Sequence, residues 1–403
     1  MVNCWVERPI IEVLKPNGIK IGPFGSQLKK EMLLSDGVYR VYGQENVYAR
    51  DFNIGDRYLT REHFNRLNSC EILPGDFVMS TMGTIGKCAI VPTTIQRGIM
   101  DSHLIRLRFD EKKVRSDYIL QLFSDQFHYL SDQTSRLAVG GIMDGLSVGI
   151  VSRLNVIYPE SIEEQGKIIK TLSEVDKLIS DQQKLIRKKK DIRQGAMQML
   201  VTGKKRLPGY YADFEHFTIG ELGSLAKMSI NPCQEPKTIF DEYSMPAFDD
   251  GAKPQQMLGE LMLSSRIKLT PNTLLFNKLN VRQRRVWLVK DCSNNSVCSS
   301  EFLPYKSEKI DLSFLKQLLL TDKVTKDFED MSSGTSNSQQ RITPSDFLKY
   351  EISIPSLEEQ RKIALILFDM DTEIQRLEEK LSKYQKVKQG MMEELLTGKV
   401  RLM

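Results

Sequence analysis

One gapless repeat constrains this chain more than any other feature. Residues 163–207 align with 358–402 at a constant offset of 195, and 18 of the 45 positions are identical. Glu164/Glu359, Gln165/Gln360, Asp176/Asp371, Gly195/Gly390 and Thr202-Gly203-Lys204/Thr397-Gly398-Lys399 are among them. The period is too long for a solenoid unit. It fits a globular unit followed by a helix, occurring twice in 403 residues.

Both copies are helical by pattern. Ile363, Leu367, Met370, Ile374, Leu377, Leu381 and Tyr384 follow a 4-3-4-3 spacing, the period-3.5 seam of a coiled coil. The first copy has Ile168, Leu172, Val175, Ile179, Gln182, Ile186 and Lys189 at the same positions, so two polar residues interrupt its seam. Ser161 and Ser356 stand three residues before Glu164 and Glu359, a capping-box spacing, and Gly203 and Gly398 suit the C-terminal ends. A narrow apolar stripe on a charged helix needs a partner, and the other copy is the simplest one. Lys184–Arg206 holds nine basic residues and one acidic, while Glu358, Glu359, Asp369, Asp371 and Glu373 open the second helix, so the charges favour antiparallel pairing. The expected fold is α+β. Two β-rich globular units, 1–160 and 208–355, are separated by two long helices, 161–207 and 356–403, paired as an antiparallel coiled coil in a pseudo-twofold duplication. The two globular units show little similarity to each other in sequence.

Polar and basic residues gather around strand-like segments in both units. Ser26, Gln27, Lys29, Lys30, Arg40, Gln44, Asn46 and Arg50 fall close together in the first, with Lys87 further on. In the second, Lys253–Arg285 carries seven basic residues against Glu260. Lys253, Gln255, Asn277, Lys278, Asn280, Arg282, Arg284 and Arg285 are the candidates there, and Gln339 and Arg341 follow in a polar stretch. Arg suits guanine and Asn or Gln suits adenine, while Lys and Arg neutralise phosphate. The same residues also fit a solvated, ion-paired surface. Net charge is only +5, so the total charge does not demand a nucleic acid.

Signals for chemistry are missing. Met79–Cys88 (MSTMGTIGKC) has its glycines too close for a phosphate loop, and Cys88 replaces the required hydroxyl. Asn231-Pro232-Cys233-Gln234 lacks the second proline and the aromatic of an amino-methyltransferase loop. The six cysteines contain no C-x-x-C pair and the four histidines share no short motif, which disfavours a disulfide framework, a zinc site and histidine-based catalysis. No catalytic residue, metal or cofactor is therefore expected. No window is apolar enough to span a membrane and the opening residues do not resemble a secretory signal, so a cytoplasmic location is expected.

The duplicated frame resembles the specificity subunit of type I restriction–modification systems. Pro159–Gln165 and Pro355–Gln360 open the helices and Leu200–Lys204 and Leu395–Lys399 close them in that family's manner. Gly22–Lys29, Gly83–Lys87 and Asn277–Asn280 are similar to segments of its recognition domains. The resemblance implies two target-recognition domains, each reading half of a split, asymmetric double-stranded DNA site, with the helices as a ruler. It implies a non-catalytic subunit that recruits two methyltransferase (modification) subunits acting on adenine N6, and restriction/translocase subunits. S-adenosylmethionine and ATP would be bound by those partners. On this reading Gln165, Asp176, Gly195 and Gly203, with their mates Gln360, Asp371, Gly390 and Gly398, are expected at partner contacts, or else at helix ends and tight packing. A self-contained DNA methyltransferase or nuclease, and a coiled-coil scaffold without DNA binding, are the alternatives.

Overall fold

A computed structural model describes residues 5–137, 145–334 and 340–402. Two long helices, Ile162–Val201 and Leu357–Leu395, carry the repeated segments. The chain forms two compact units that cut across the linear order: Met1–Gln183 with Glu379–Met403, and Lys184–Glu378. Each unit thus joins a globular head, the start of the helix that follows it, and the end of the other long helix.

The helices run antiparallel within each unit. In the first, Lys388 pairs with Asp176 at 2.6 Å and Arg401 with Glu164 at 2.6 Å. In the second, the mates meet in exchanged roles: Arg193 with Asp371 at 2.9 Å and Arg206 with Glu359 at 2.7 Å. Lys189–Glu373 and Lys190–Glu378, both at 2.7 Å, continue the series. In each unit the partner number falls as the residue number rises, so the two repeated helices pair as an antiparallel coiled coil there. The seam closes apolar cores on the way. Ile168 and Leu172 pack with Met392, Leu395 and Leu396 in the first unit. Ile363 and Leu367 pack in the same core as Met197, Leu200 and Val201 in the second. Each fully buried side chain of this size contributes about 1.5–3 kcal/mol.

The caps repeat as well. The hydroxyls of Ser161 and Ser356 accept the N–H of Glu164 and Glu359 at 3.3 and 3.4 Å. Gly203 and Gly398 take φ of +72° and +75°, the left-handed conformation that ends a helix and favours glycine. A Cβ there would come within 3.1 Å of the Phe214 ring and 2.7 Å of the Trp5 ring, respectively.

The heads differ in sequence but share one topology. In the first, strands Leu14–Ile21, Leu104–Phe109, Phe77–Ser80 and Cys88–Ile90 lie in that order in one sheet. Ser224–Leu225, Phe302–Lys306, Thr273–Asn277 and Val286–Val289 repeat the order in the second. In the next sheet Tyr39–Tyr42 pairs parallel with Gly98–Met100, and Ile239–Tyr243 pairs parallel with Ser296–Ser299. The central strands are buried on both faces, and each head fills them with different apolar residues, so the kinship is invisible at the level of identity.

Candidate nucleic-acid interface

The topology gathers most of the candidate residues at one end of each head. In the first head, Tyr39–Tyr42 and Phe77–Ser80 both finish there, and Leu104–Phe109 begins there. Gly22 leaves the sheet beside Leu104, carrying Ser26 and Gln27, followed by Lys29 and Lys30; all four are exposed. The short helix Gln44–Ala49 and the hairpin loop 81–87 complete the tip. Tyr48 joins them: its hydroxyl donates to the Met82 carbonyl at 3.0 Å and accepts the Thr84 N–H at 3.0 Å. Gln44 lies half-buried against that hydroxyl at 3.1 Å. Arg50 is exposed and left-handed at φ +50°.

The second head builds its tip from equivalent pieces. The hairpin loop 278–285 occupies the place of loop 81–87, so two segments that stand out separately in the sequence are one structural position. Gln255 sits opposite Glu242 near the end of Ile239–Tyr243, and Lys253 precedes it; both are exposed. Lys278 donates its N–H to the Glu301 carbonyl at 3.0 Å, placing the loop beside the turn that ends Ser296–Ser299.

Several candidates are committed to the fold. Arg40 is buried; its guanidinium donates to the carbonyls of Asn53 and Gly55. Buried Asn46 accepts the Gly43 N–H at 2.9 Å and donates to the Asp51 and Ile54 carbonyls. Buried Asn277 ties its own loop through both main-chain groups of Leu279. These three side chains have no surface to offer DNA, because loops need the same hydrogen-bonding groups as bases do. Gln339 lies outside the described residues.

The arginines of the second tip are held by their guanidinium groups. Arg285 makes a bidentate pair with Asp249 at 2.8 and 2.7 Å, and this hydrogen bonding holds the Asp249 carboxyl below its ordinary value. Arg284 meets Asp322 at 2.7 Å, Arg282 meets Glu329 at 3.6 Å, and Arg341 meets Glu301 at 3.2 Å. Asn280 accepts from Arg282 Nε at 3.2 Å. Lys87 pairs with Asp125. Exposed pairs of this kind are worth at most about 1 kcal/mol, so a phosphate oxygen competes with the carboxylate for the same cation.

Sequence reasoning missed the apolar members of the first tip. Phe24, Met82 and Ile85 of the first head are exposed. Apolar side chains among donors meet thymine methyl groups. Their signal in the sequence is weak, since an apolar residue in a loop carries no period.

The frame residues divide in two. Gln165 and Gln360 are buried and pin each head to its helix. Their Oε1 atoms accept the N–H of Arg115 and of Asp311, both at 2.9 Å, and their Nε2 atoms donate to Pro159 and Pro355 carbonyls. Asp176 and Asp371 hold the opposite helix, and Gly203 and Gly398 end their helices. Gln165, Gln360, Gly203 and Gly398 thus serve helix ends and packing, whereas Asp176 and Asp371 pair across the helices and still keep 41% and 50% of their side chains exposed. Gly195 and Gly390 also face open space, with nothing within 4 Å of where a Cβ would stand. Sequence reasoning also missed the clamps Arg206–Glu359 and Arg401–Glu164, although both partners recur identically at the repeat offset.

No group of three or more His, Cys, Asp or Glu side chains among the described residues is placed to hold a metal ion. Burial pushes the Cys88 thiol well above its ordinary value and that of Cys298 to about 12, which makes both poor nucleophiles. No helix among the described residues is long and apolar enough to cross a membrane.

A family model described as the type I restriction modification DNA specificity domain matches residues 21–189 and 286–388, well over half of the chain. The chain belongs to the type I restriction–modification specificity family. Among curated proteins, the MjaVIII specificity subunit of Methanocaldococcus jannaschii is 24% identical over 335 residues, covering 76% of this chain and 75% of that one. The specificity subunit of M. genitalium aligns over 98% of this chain and 96% of its own, with 13% identity and a TM-score of 0.55. A chain from a study of assembly and conformational transition of the type I system aligns over 98% of both, with 13% identity and a TM-score of 0.59. At such identity the likeness is one of fold. This specificity subunit serves DNA recognition in a type I system, and the duplicated frame and paired heads are the family's architecture in this chain.

Proposed function

We propose that the two heads read the two halves of a bipartite, asymmetric DNA site, one tip per half-site. The observation that carries this is the contrast between the heads: one topology on a duplicated frame, but different tips. Loop 81–87 of the first tip exposes Met82 and Ile85, whereas loop 278–285 of the second presents arginines and amides. Two equal scaffolds with unequal side chains suit two different sequences. The helices set the spacer between half-sites and dock two methyltransferase subunits that modify adenine at N6; the restriction/translocase subunits join through those. Asp176, Asp371, Gly195 and Gly390 remain the frame candidates for such contacts. The subunit itself is non-catalytic and cytoplasmic. S-adenosylmethionine and ATP belong to its partners.

Phosphate contacts release counterions, so affinity falls linearly with log salt at about 0.9 per phosphate neutralised. Replacing Lys29 and Lys30 together by Ala, or Lys253 and Lys278 together, should weaken DNA binding by the assembled methyltransferase across all sequences and lower that slope by about 2. Fluorescence anisotropy at a series of salt concentrations measures it. An unchanged slope in both double variants contradicts the assignment of the tips as the DNA face.

A further inference from the structure

The pseudo-twofold breaks sharply at the base of the second head, far from its tip. A cleft of about 920 Å³ opens there, lined by Lys290, Lys306, Lys309, Leu288, Leu357 and Arg361 among others. Four of these six are cations. Among the described residues, Lys306 Nζ donates to the Thr270 hydroxyl at 2.8 Å and Lys309 Nζ to the Glu221 carbonyl at 3.0 Å; neither forms a direct ion pair, although the Lys309 charge acts on the Glu221 carboxyl. Two carboxylates share the lining, Glu308 and Asp311. Asp311 already caps the helix Leu312–Leu319 by accepting the Phe314 N–H at 2.9 Å.

An apolar rim continues the cleft. Leu357, Arg361, Leu365 and Phe368 recur at helical spacing along one face of the second long helix. Leu365 and Phe368 are each 58% exposed, and Lys290 Nζ sits 5.5 Å from the centre of the Phe368 ring. Positive charge beside exposed aromatic and aliphatic surface is complementary to an acidic, amphipathic protein segment. A bare polyanion would leave the apolar rim uncovered.

The first unit repeats this only in part: Lys113 Nζ donates to the Glu12 carbonyl at 3.0 Å, as Lys309 does to that of Glu221, in a cleft where Glu12 and Glu160 face Arg8, Lys112 and Lys113, but the apolar rim has no counterpart. At the repeat offset, Arg361, Leu365 and Phe368 correspond to Gly166, Lys170 and Ser173. Lys306 follows Tyr305, the strand partner of Leu274. Arg108 follows Leu107, the strand partner of Phe77, in the same way. There Arg108 is neutralised by Asp76 at 2.7 Å.

We infer that the two partner-docking faces are unequal. The cleft of the second unit receives an acidic, amphipathic segment of one methyltransferase subunit, and the other copy docks without such a contact. This rests on the proposed recruitment of two methyltransferase copies. Native mass spectrometry and titration of the full chain with its methyltransferase subunit test it. The wild type should show two dissociation constants at least about tenfold apart. In K290E/L365K/F368S the tighter one should weaken at least about tenfold, bringing the two within about threefold. The mirror variant K170L/S173F should change neither constant by more than about twofold. All five positions are surface sites, and an unchanged melting temperature verifies folding; R361E alone provides a second, smaller perturbation in the same direction. Two equal constants in the wild type, or unchanged constants in the triple variant, overturn the inference while leaving recruitment intact. Loss of DNA affinity with both constants unchanged also overturns it and assigns the cleft to phosphate. A wild-type chain that takes up no methyltransferase subunit overturns the recruitment reading itself.

Discussion

One added helical turn in each long helix should lengthen the spacer of the recognised DNA site by one or two base pairs and leave both half-sites unchanged. The insertion points are between Gln183 and Lys184 and between Glu378 and Glu379, where the chain passes from one compact unit to the other. Four residues add about 6 Å of helix, close to two base-pair steps of roughly 3.4 Å each. Both helices must receive the turn, because the ion pairs that run in register, Lys388–Asp176 in one unit and Arg193–Asp371 in the other, lie on opposite sides of the insertion. Sequencing of N6-methyladenine in cells carrying the variant measures the spacer. A site of unchanged spacing contradicts the ruler.

Arg401→Ala should destabilise the first unit by about 2 kcal/mol or more, and Arg401→Glu by considerably more. Glu164 is 4% exposed and receives both arms of Arg401, at 2.6 and 2.7 Å. Truncation leaves a buried carboxylate short of its donors, which costs more than the bond contributes. Arg401 keeps 28% of its side chain in water, so the loss falls below that of a fully buried pair. The pH dependence has a definite sign. Hydrogen bonding from Arg401 holds the folded pKa of Glu164 below its ordinary 4.5. The contribution is therefore fully present above that value and fades as pH falls through the lower, folded one. The variant should lose part of the wild type's acid sensitivity between about pH 5 and the folded value. Chemical denaturation at several pH values reads both effects, and an Arg401→Glu chain partly rescued by Glu164→Arg isolates the pair. Wild-type stability in Arg401→Ala contradicts the clamp.

The frame was legible in the sequence because helices repeat at short period and these two also repeat each other. Heptad spacing at Ile363–Tyr384, the serine caps and the terminal glycines each have one physical meaning, and the structure uses each that way. The heads were legible only as β-rich. A strand buried on both faces tolerates any apolar residue that fills its place, so the common topology left no shared letters. The tips were half legible. The structure gathers candidates such as Gln27, Arg50, Lys253 and Lys278 at one end of each head. Residue type did not separate groups that face solvent from groups that tie a loop, since Asn46 and Asn277 are chemically identical to base readers. Nor did it reveal that Arg284 and Arg285 are held by Asp322 and Asp249, each distant in sequence and brought near only by the fold.

Mapping N6-methyladenine across the source genome, with and without the gene for this chain, tests the central claim most directly. The account predicts that methylation disappears from one motif made of two unlike half-sites separated by a fixed spacer, and from no other. Methylation that is unchanged in cells whose methyltransferase subunit is expressed and active would contradict it.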